Sequence, residues 1–386
     1  MSTLADQAPA IEQVLHAVKA LVPEIAARAD EIESTRRVPP DLLDALRAAG
    51  CFRVQLPPSH GGAGAALPDA LGVFEALSRA DASVGWAVAI GAGAWCDLAG
   101  LPRSTFDEMY ADPDRLIAGV FSPSGTATAV DGGYDVTGRW SFASGCPYAD
   151  WIYGNTVETA AGDEPSVRTI LFRPEEVEIE DTWRVLGMRG TASHHFRADA
   201  VVVPPERTFA TFSAEPCVDA VIVRIPQPSL FSLGLATVAV GAARGALDDL
   251  LALALDKVPL FASSPLAGNQ AFQQELARAD TGLRAARSLL VECAEEVWAA
   301  AERGAEFGWE VVARTRAAAA WSTTTAVAAA ESAYRFGGGS SLWDESPLQR
   351  RLRDLNVIAQ HFLVRPDTLV TAGAVLVGQE IDVPVF

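Results

Sequence analysis

His361 follows the run SPLQRRLRDLNVIAQ and is the last histidine of the chain. An unperturbed imidazole titrates near neutral pH, so a lone histidine beyond a basic helix is a candidate acid–base or hydrogen-bonding group. The plain alternative is a histidine satisfied inside a helix contact. Ser144, in the turn Phe142-Ala143-Ser144-Gly145, offers a compact donor and acceptor at a strand end, or a turn serine that bonds only its own backbone. The run Gly337-Gly338-Gly339 can let backbone amides approach a phosphate, or simply cap a helix. Arg189-Gly190-Thr191 with Ser193 reads as a polar ligand contact or as a surface hairpin. His194 and His195 are adjacent, so a strand sends them to opposite faces and at most one of them matters. His16 and His60 read as surface residues. The five histidines show no HExxH or other ligand spacing, so no metal is expected.

These residues must be positioned by three zones of different period. Over 1–115 the pattern is helical with short loops. In PPDLLDALRAAG, proline and aspartate open a helix, Leu42, Leu43 and Leu46 share a face, and Gly50 ends it. Over 116–213 come short β-branched and aromatic runs such as LIAGVF, GYDVTGRWSF, VRTILF and HFRADAVVVP, separated by Gly, Pro and Asp: a β domain. Over 214–386 long alanine-rich helices return, at 229–257, 270–303, 310–336 and 346–378, suited to a close-packed bundle. Helices longer than one domain needs predict a homo-oligomer, taken as a tetramer. The fold class is α+β, mostly α.

At 386 residues and 49% hydrophobic the chain can bury a large core. Its formal net charge of −19 argues against nucleic acid and anionic membranes as partners. The opening residues lack a basic start and apolar run, and the longest uncharged stretch, 225–243, reads as a buried helix with its approach loop. Five scattered cysteines without a CxxC pair predict reduced thiols and a cytoplasmic location.

Several stretches together resemble the acyl-CoA dehydrogenase fold over almost the whole chain. PPDLLDALRAAGCFRVQLPPSHGGAGA is similar to its opening helix and loop, and DASVGWAVAIGAGAW to the helix lining the active site. GGYDVTGRWSFASGCPYADW resembles the flavin-facing strand and turn, and DTWRVLGMRGTASHHFRADAVVVP the strand pair that follows. FASG, RGTxSH and SPLQRRLRD with a downstream histidine resemble the group D two-component hydroxylases, the flavin-dependent monooxygenases of this fold. The resemblance implies an N-terminal helical domain, a middle β-barrel and a C-terminal four-helix bundle. It implies an oxygenase component that takes reduced FMN or FAD from a separate reductase. With O2 and a flavin hydroperoxide it hydroxylates an aromatic or polycyclic small molecule. Ser144 would face the flavin with Phe142, Gly145, Arg189 and Thr191, and Gly337, Gly338 and Gly339 would approach a neighbouring subunit's flavin. His361 would donate to the peroxide oxygen or deprotonate a phenol.

The departures also inform. Where dehydrogenases of this fold carry a glutamate, the chain reads Gln360-His361-Phe362, and no Asp or Glu lies between Asp354 and Asp367. Many phenol hydroxylases carry a second histidine where Ala94 or Trp95 stands, so Trp86, Ala94, Trp95 and Gln360 are expected to line a less polar pocket. The loop over 257–270 lacks the arginine that dehydrogenases place on the flavin pyrophosphate, which fits a flavin delivered reduced by a partner. An acyl-CoA dehydrogenase-type FAD oxidoreductase and a non-catalytic flavin-binding member remain as alternatives.

Overall fold

The computed structural model describes residues 8–158 and 166–379. Helices α1 (Ile11–Ala27), α2 (Ala29–Thr35), α3 (Pro40–Ala48), α4 (Leu67–Ala80), α5 (Ala82–Asp97) and α6 (Arg103–Met109) precede the strands. Helix α3 forms as its residues dictate: Pro40 opens it, Leu42, Leu43 and Leu46 are buried, and Gly50 leaves it at φ 77°, a left-handed conformation that favours glycine. Helix α5 is started by Asp81, whose carboxylate accepts the Ser83 and Val84 amides at 2.9 and 3.1 Å.

The strands are β1 (Ile117–Val130), β2 (Gly133–Ala143), β3 (Trp151–Glu158), β4 (Ser166–Phe172), β5 (Glu178–Glu180), β6 (His194–Val203) and β7 (Thr208–Ala210). They form one seven-stranded sheet in the order β5-β6-β2-β1-β3-β4-β7, antiparallel except for the β1–β3 pair. The sheet coils until Phe172 of β4 meets Phe196 of β6, their rings 6.2 Å apart, over a core centred on Trp140. Among the described residues no pairing joins the two edge strands, so the barrel stays open along that seam.

Helices α7 (Gln227–Asp256), α8 (Gln270–Glu302), α9 (Trp309–Gly337) and α10 (Pro347–Ile358) make the C-terminal bundle, followed by α11 (Thr368–Leu376). Buried alanines line the α7–α9 contact, among them Ala236, Ala239, Ala326 and Ala330, and let the two helices pack closely. Helix α7 is long and apolar enough to cross a membrane, but 89% of its most apolar window is buried inside the protein. One hydrophobic core runs without a break through α1–α6 and the bundle, and a second lies inside the sheet.

One expectation changes here. The continuous helix expected over 346–378 is broken into α10 and α11. The amides of Gln360 and His361 bond three residues back, to Val357 and Ile358 at 3.1 and 3.0 Å, which tightens and ends α10. Pro366 lacks the amide needed to resume a helix there. His361 therefore sits in a turn, three residues past α10. Arg353 of α10 pairs with Glu33 of α2 at 2.5 Å. Asp354 instead accepts the Met188 amide at 2.5 Å, locking α10 to the strand-connecting loop of the sheet.

Candidate active site between the sheet and α5

At the end of β2 the backbone of Phe142 turns left-handed, at φ 73°, and its ring stands 67% exposed. Met188 and Ala192, which flank the turn Arg189–Thr191, are also left-handed, at φ 56° and 47°. Such backbone costs about 1 kcal/mol or more per non-glycine residue and gathers where geometry serves a ligand. The two turns lean on each other, for the Gly145 amide donates to the Thr191 carbonyl at 2.9 Å.

Their hydroxyls form a chain. Thr191 Oγ1 donates to the Met188 carbonyl at 2.9 Å and lies 2.6 Å from Ser193 Oγ, which lies 2.8 Å from Ser144 Oγ. Ser144 Oγ also accepts Trp86 Nε1–H of α5 at 3.1 Å. Each hydroxyl has one proton, so once Thr191 spends its own on Met188, Ser193 donates to Thr191 and Ser144 to Ser193. Ser144 is then left with a lone pair and no free proton: toward a ligand it is an acceptor.

Across α5, the Trp86 ring meets His361 edge to face at 5.5 Å, and the His361 ring lies 4.8 Å from that of Phe362. His361 Nδ1 accepts the Leu363 amide at 3.4 Å, which places the proton of the neutral ring on Nε2. Burial, with Arg365 adding to it, pushes the His361 pKa down to about 4, so the ring is neutral at physiological pH. Ser144 and His361 thus share Trp86 as a common neighbour, which brings the two expected catalytic residues to one place.

Other expected residues fall elsewhere. Trp86, Ile90, Gly93 and Asp97 follow one face of α5, whereas Trp95, nine residues beyond Trp86, points the opposite way. It is 1% exposed and packs toward Phe106 of α6 at 6.3 Å, so Trp95 does not line the pocket. Ala94 is buried, and Gln360 is exposed in the turn before His361. The Arg189 guanidinium turns back to the Val185 carbonyl at 2.9 Å, and Gly190 packs against α2 and α5. Gly337, Gly338 and Gly339 end α9 and are held by Lys257, which bonds the Gly337 carbonyl and Ser340 Oγ. Twelve residues of α10, about 18 Å of helix, separate that turn from the His361 turn. Within one chain it does not join Ser144 and His361.

His60, expected at the surface, is 3% exposed between Ser59 and Asp107, because its ring packs on Phe106. His194 is also buried, and its Nδ1 accepts the Thr182 and Trp183 amides at 3.2 Å each. His195 is the histidine that faces outward, its ring 5.8 Å from Phe142. Among the described residues no His, Cys, Asp or Glu group is placed to hold a metal.

Sequence reasoning missed a buried polar group further along α5. Asp97 takes a short hydrogen bond from Tyr153 of β3 and one of 2.7 Å from Gln227 Nε2 at the start of α7. Burial raises its pKa to about 7, though the Tyr153 bond opposes this. Its place on the Trp86 face of α5 was a signal available in the sequence.

A flat aromatic cofactor fits the sheet side of this site. Exposed Phe142 and half-buried His195 form an aromatic ledge over buried Trp183, beside the Ser144 hydroxyl chain, and His195 Nδ1 is buried with no partner. The turn is also closely packed. A Cβ on Gly190 would lie 2.2 Å from Ile32 Cγ2 and 2.9 Å from Ser83 Cβ. Gly190→Ala should therefore lower stability by about 1–3 kcal/mol, read as a drop in Tm, because neither neighbour is a flexible chain end. An unchanged Tm would show that the turn is free to move.

Family models for the acyl-CoA dehydrogenase N-terminal and C-terminal domains match residues 9–100 and 233–366. The chain is 31% identical to an indole-3-acetate monooxygenase of Pseudomonas putida, over 96% of this chain and 94% of that protein. It is 30% identical to the oxygenase component of an FADH2-dependent resorcinol hydroxylase of Rhizobium sp., over 91% of each. The crystal structure of 3-HSA hydroxylase from Rhodococcus sp. RHA1 superimposes with a TM-score of 0.90 at 26% identity, covering 96% of this chain and 98% of that one. A neutral histidine where a dehydrogenase needs a carboxylate, and full-length likeness to these enzymes, lead to one assignment: the chain belongs to the flavin-dependent monooxygenases of the acyl-CoA dehydrogenase family, the oxygenase components of two-component hydroxylases.

Proposed function

We propose that the protein binds reduced FAD, supplied by a separate reductase, on the ledge of Phe142, Trp183 and His195. There it hydroxylates an aromatic small molecule held against Trp86 and His361. When bound, the reduced flavin reacts with O2, so that one oxygen atom enters the substrate and the other leaves as water. The observation that carries the reading is the shared Trp86. It receives the edge of His361 on one side and bonds Ser144 on the other, so cofactor-side and substrate-side groups are held in fixed relation.

Ser144, acceptor only, suits a ring N–H of a reduced flavin, whereas an oxidised ring nitrogen would ask it for a proton it has already given to Ser193. His361 presents Nε2–H as a donor toward the oxygen being transferred and, being neutral, costs no buried charge. Trp86 and the apolar face of α5 exclude water. Arg189 and Thr191 support the ledge from behind, and Gly337, Gly338 and Gly339 approach the flavin of a second subunit. FAD is favoured over FMN by the name of the resorcinol hydroxylase relative. Exposed Leu255, Leu260, Phe261 and Trp343 on the C-terminal half fit burial in a homotetramer, and the five free thiols fit the cytoplasm.

Mixing the protein with chemically reduced FAD, 18O2 and either indole-3-acetate or resorcinol tests the reading. The expected product carries one 18O. Reduced flavin oxidising as it does without protein, with no product, would overturn it. Tight oxidised FAD that an acyl-CoA reduces would favour a dehydrogenase instead.

A further inference from the structure

Arg316, on the first turns of α9, is a cation without a carboxylate. Its Nη2 donates to the Phe362 carbonyl at 3.2 Å, and its Nε is buried with no partner. Nearby arginines are satisfied: Arg314 pairs with Glu296 at 2.5 Å, and Arg365 with Asp367 at 2.6 Å. Asp367 is close enough for its field to reach Arg316, but both of its oxygens are taken by Arg365. In a chain with 49 acidic and 30 basic residues, an arginine beside the candidate site that stays out of ion-pair range of every described carboxylate calls for a partner from outside.

Its position supplies one. Phe362, whose carbonyl it holds, follows His361 directly, and the two rings lie 4.8 Å apart. Thr315, the preceding residue of α9, donates to Ser229 Oγ of α7 at 2.8 Å, two residues before Phe231. Phe231 in turn lies against Gly93, on the Trp86 face of α5. Arg316 therefore holds the turn that carries His361, and the residue before it packs on α7 toward α5. A guanidinium presents a planar fork that matches a carboxylate. A protein of net charge −19 repels an anionic substrate unless its site carries a cation.

We infer that Arg316 is the anion-recognising residue of this site and that the substrate is an aromatic carboxylic acid, bound with its carboxylate on the guanidinium and its ring toward His361. The inference rests on the oxygenase reading above.

The test is calorimetric binding of phenylacetate, 1-naphthylacetate and indole-3-acetate, each beside its uncharged methyl ester, to wild type, Arg316→Gln and Arg316→Lys. At least one acid should bind wild type more tightly than its ester. Arg316→Gln should weaken that acid about 30-fold or more while leaving the ester unchanged, and Arg316→Lys should recover part of the loss. Equal weakening of acid and ester, equal affinity for both in wild type, or no acid bound at millimolar concentration would each overturn the inference. Oxygen incorporation by wild type separates the two claims. If wild type oxygenates an aromatic but shows no preference for acids, only the role of Arg316 fails; if it oxygenates none, the oxygenase reading itself fails.

Discussion

His361→Ala is expected to lower hydroxylated product by about 100-fold while reduced flavin is still consumed, the balance appearing as hydrogen peroxide. The imidazole donates from Nε2 because Nδ1 is occupied by the Leu363 amide, and alanine offers no donor in its place. Loss of one donor aimed at developing charge costs about 2.7–4 kcal/mol of transition-state stabilisation. The defect should therefore lie in product per flavin rather than in flavin binding. Since the His361 pKa is pushed down to about 4, product formation should show no inflection near 6.5 that belongs to this residue. A wild-type profile that falls as an imidazolium is lost, and flattens in His361→Ala, would rule out the neutral-donor role.

Ser144→Ala separates the other half of the site. It removes the acceptor and also strands Trp86 Nε1–H and the end of the hydroxyl chain. Early peroxide release is expected, with product yield reduced for every substrate alike. Product per flavin equal to wild type in both variants would remove the site assignment.

The second large effect is on stability against pH. Asp97 and Asp354 are buried carboxyls, each raised from an ordinary value near 3.8 to about 7. Burial is the leading cause for both, and the charge of Asp81 adds to it at Asp354. Between these two values the native protein keeps a proton that the unfolded chain has released. Their stabilisation is therefore fully present below the unfolded value and is lost as pH rises through about 7. A gap of about three pH units, at about 1.36 kcal/mol each, corresponds to about 4 kcal/mol per group as an order of magnitude.

His361 acts in the opposite sense. Its native pKa of about 4 lies below the unfolded value near 6.5, so stability falls as pH drops between them. His194 and His195, also lowered by burial, act with His361, while Asp81, raised by burial, acts with the two aspartates. The larger aspartate shifts favour a net gain in stability on acidification from pH 8 to pH 5. Equilibrium unfolding in urea at the two pH values measures it. Asp97→Asn should raise stability at pH 8 and remove about half of the aspartate contribution to the slope. Asparagine can accept the Gln227 bond and donate to the Tyr153 oxygen without burying a charge. A wild-type protein less stable at pH 5 than at pH 8 would contradict this account.

Periodicity was enough to read the order of helices, strands and helices, since each buried face repeats in the local pattern. Leu42, Leu43 and Leu46 declare α3, and the alanines of α7 and α9 declare a bundle. The FASG turn and the histidine beyond SPLQRRLRD stood out only through the resemblance to the two-component hydroxylases, because residue type alone left a turn serine and a packed histidine as alternatives. The break after Ile358 was not legible. The apolar pattern over 346–378 runs on past Ile358, and the i−3 bonds of Gln360 and His361 end the helix there, eight residues before Pro366, the first breaker visible in the sequence. Trp95 was placed beside Trp86 on residue type, although nine residues of helix already put the two on opposite faces of α5.

What the sequence by itself determined is the fold class and the absence of an Asp or Glu between Asp354 and Asp367; its resemblance to the two-component hydroxylases marked His361 and Ser144 as candidates. Pattern, composition and motif resemblance are all carried by the order of residues along the chain. What only the tertiary structure decided is the state of those groups. Trp86 joins Ser144 to His361, the hydroxyl chain leaves Ser144 an acceptor, the Leu363 amide fixes the histidine tautomer, and Arg316 is left without a carboxylate. Each depends on atoms distant in the chain, and hydrogen-bond direction and desolvation are set by what surrounds a group rather than by its neighbours in sequence.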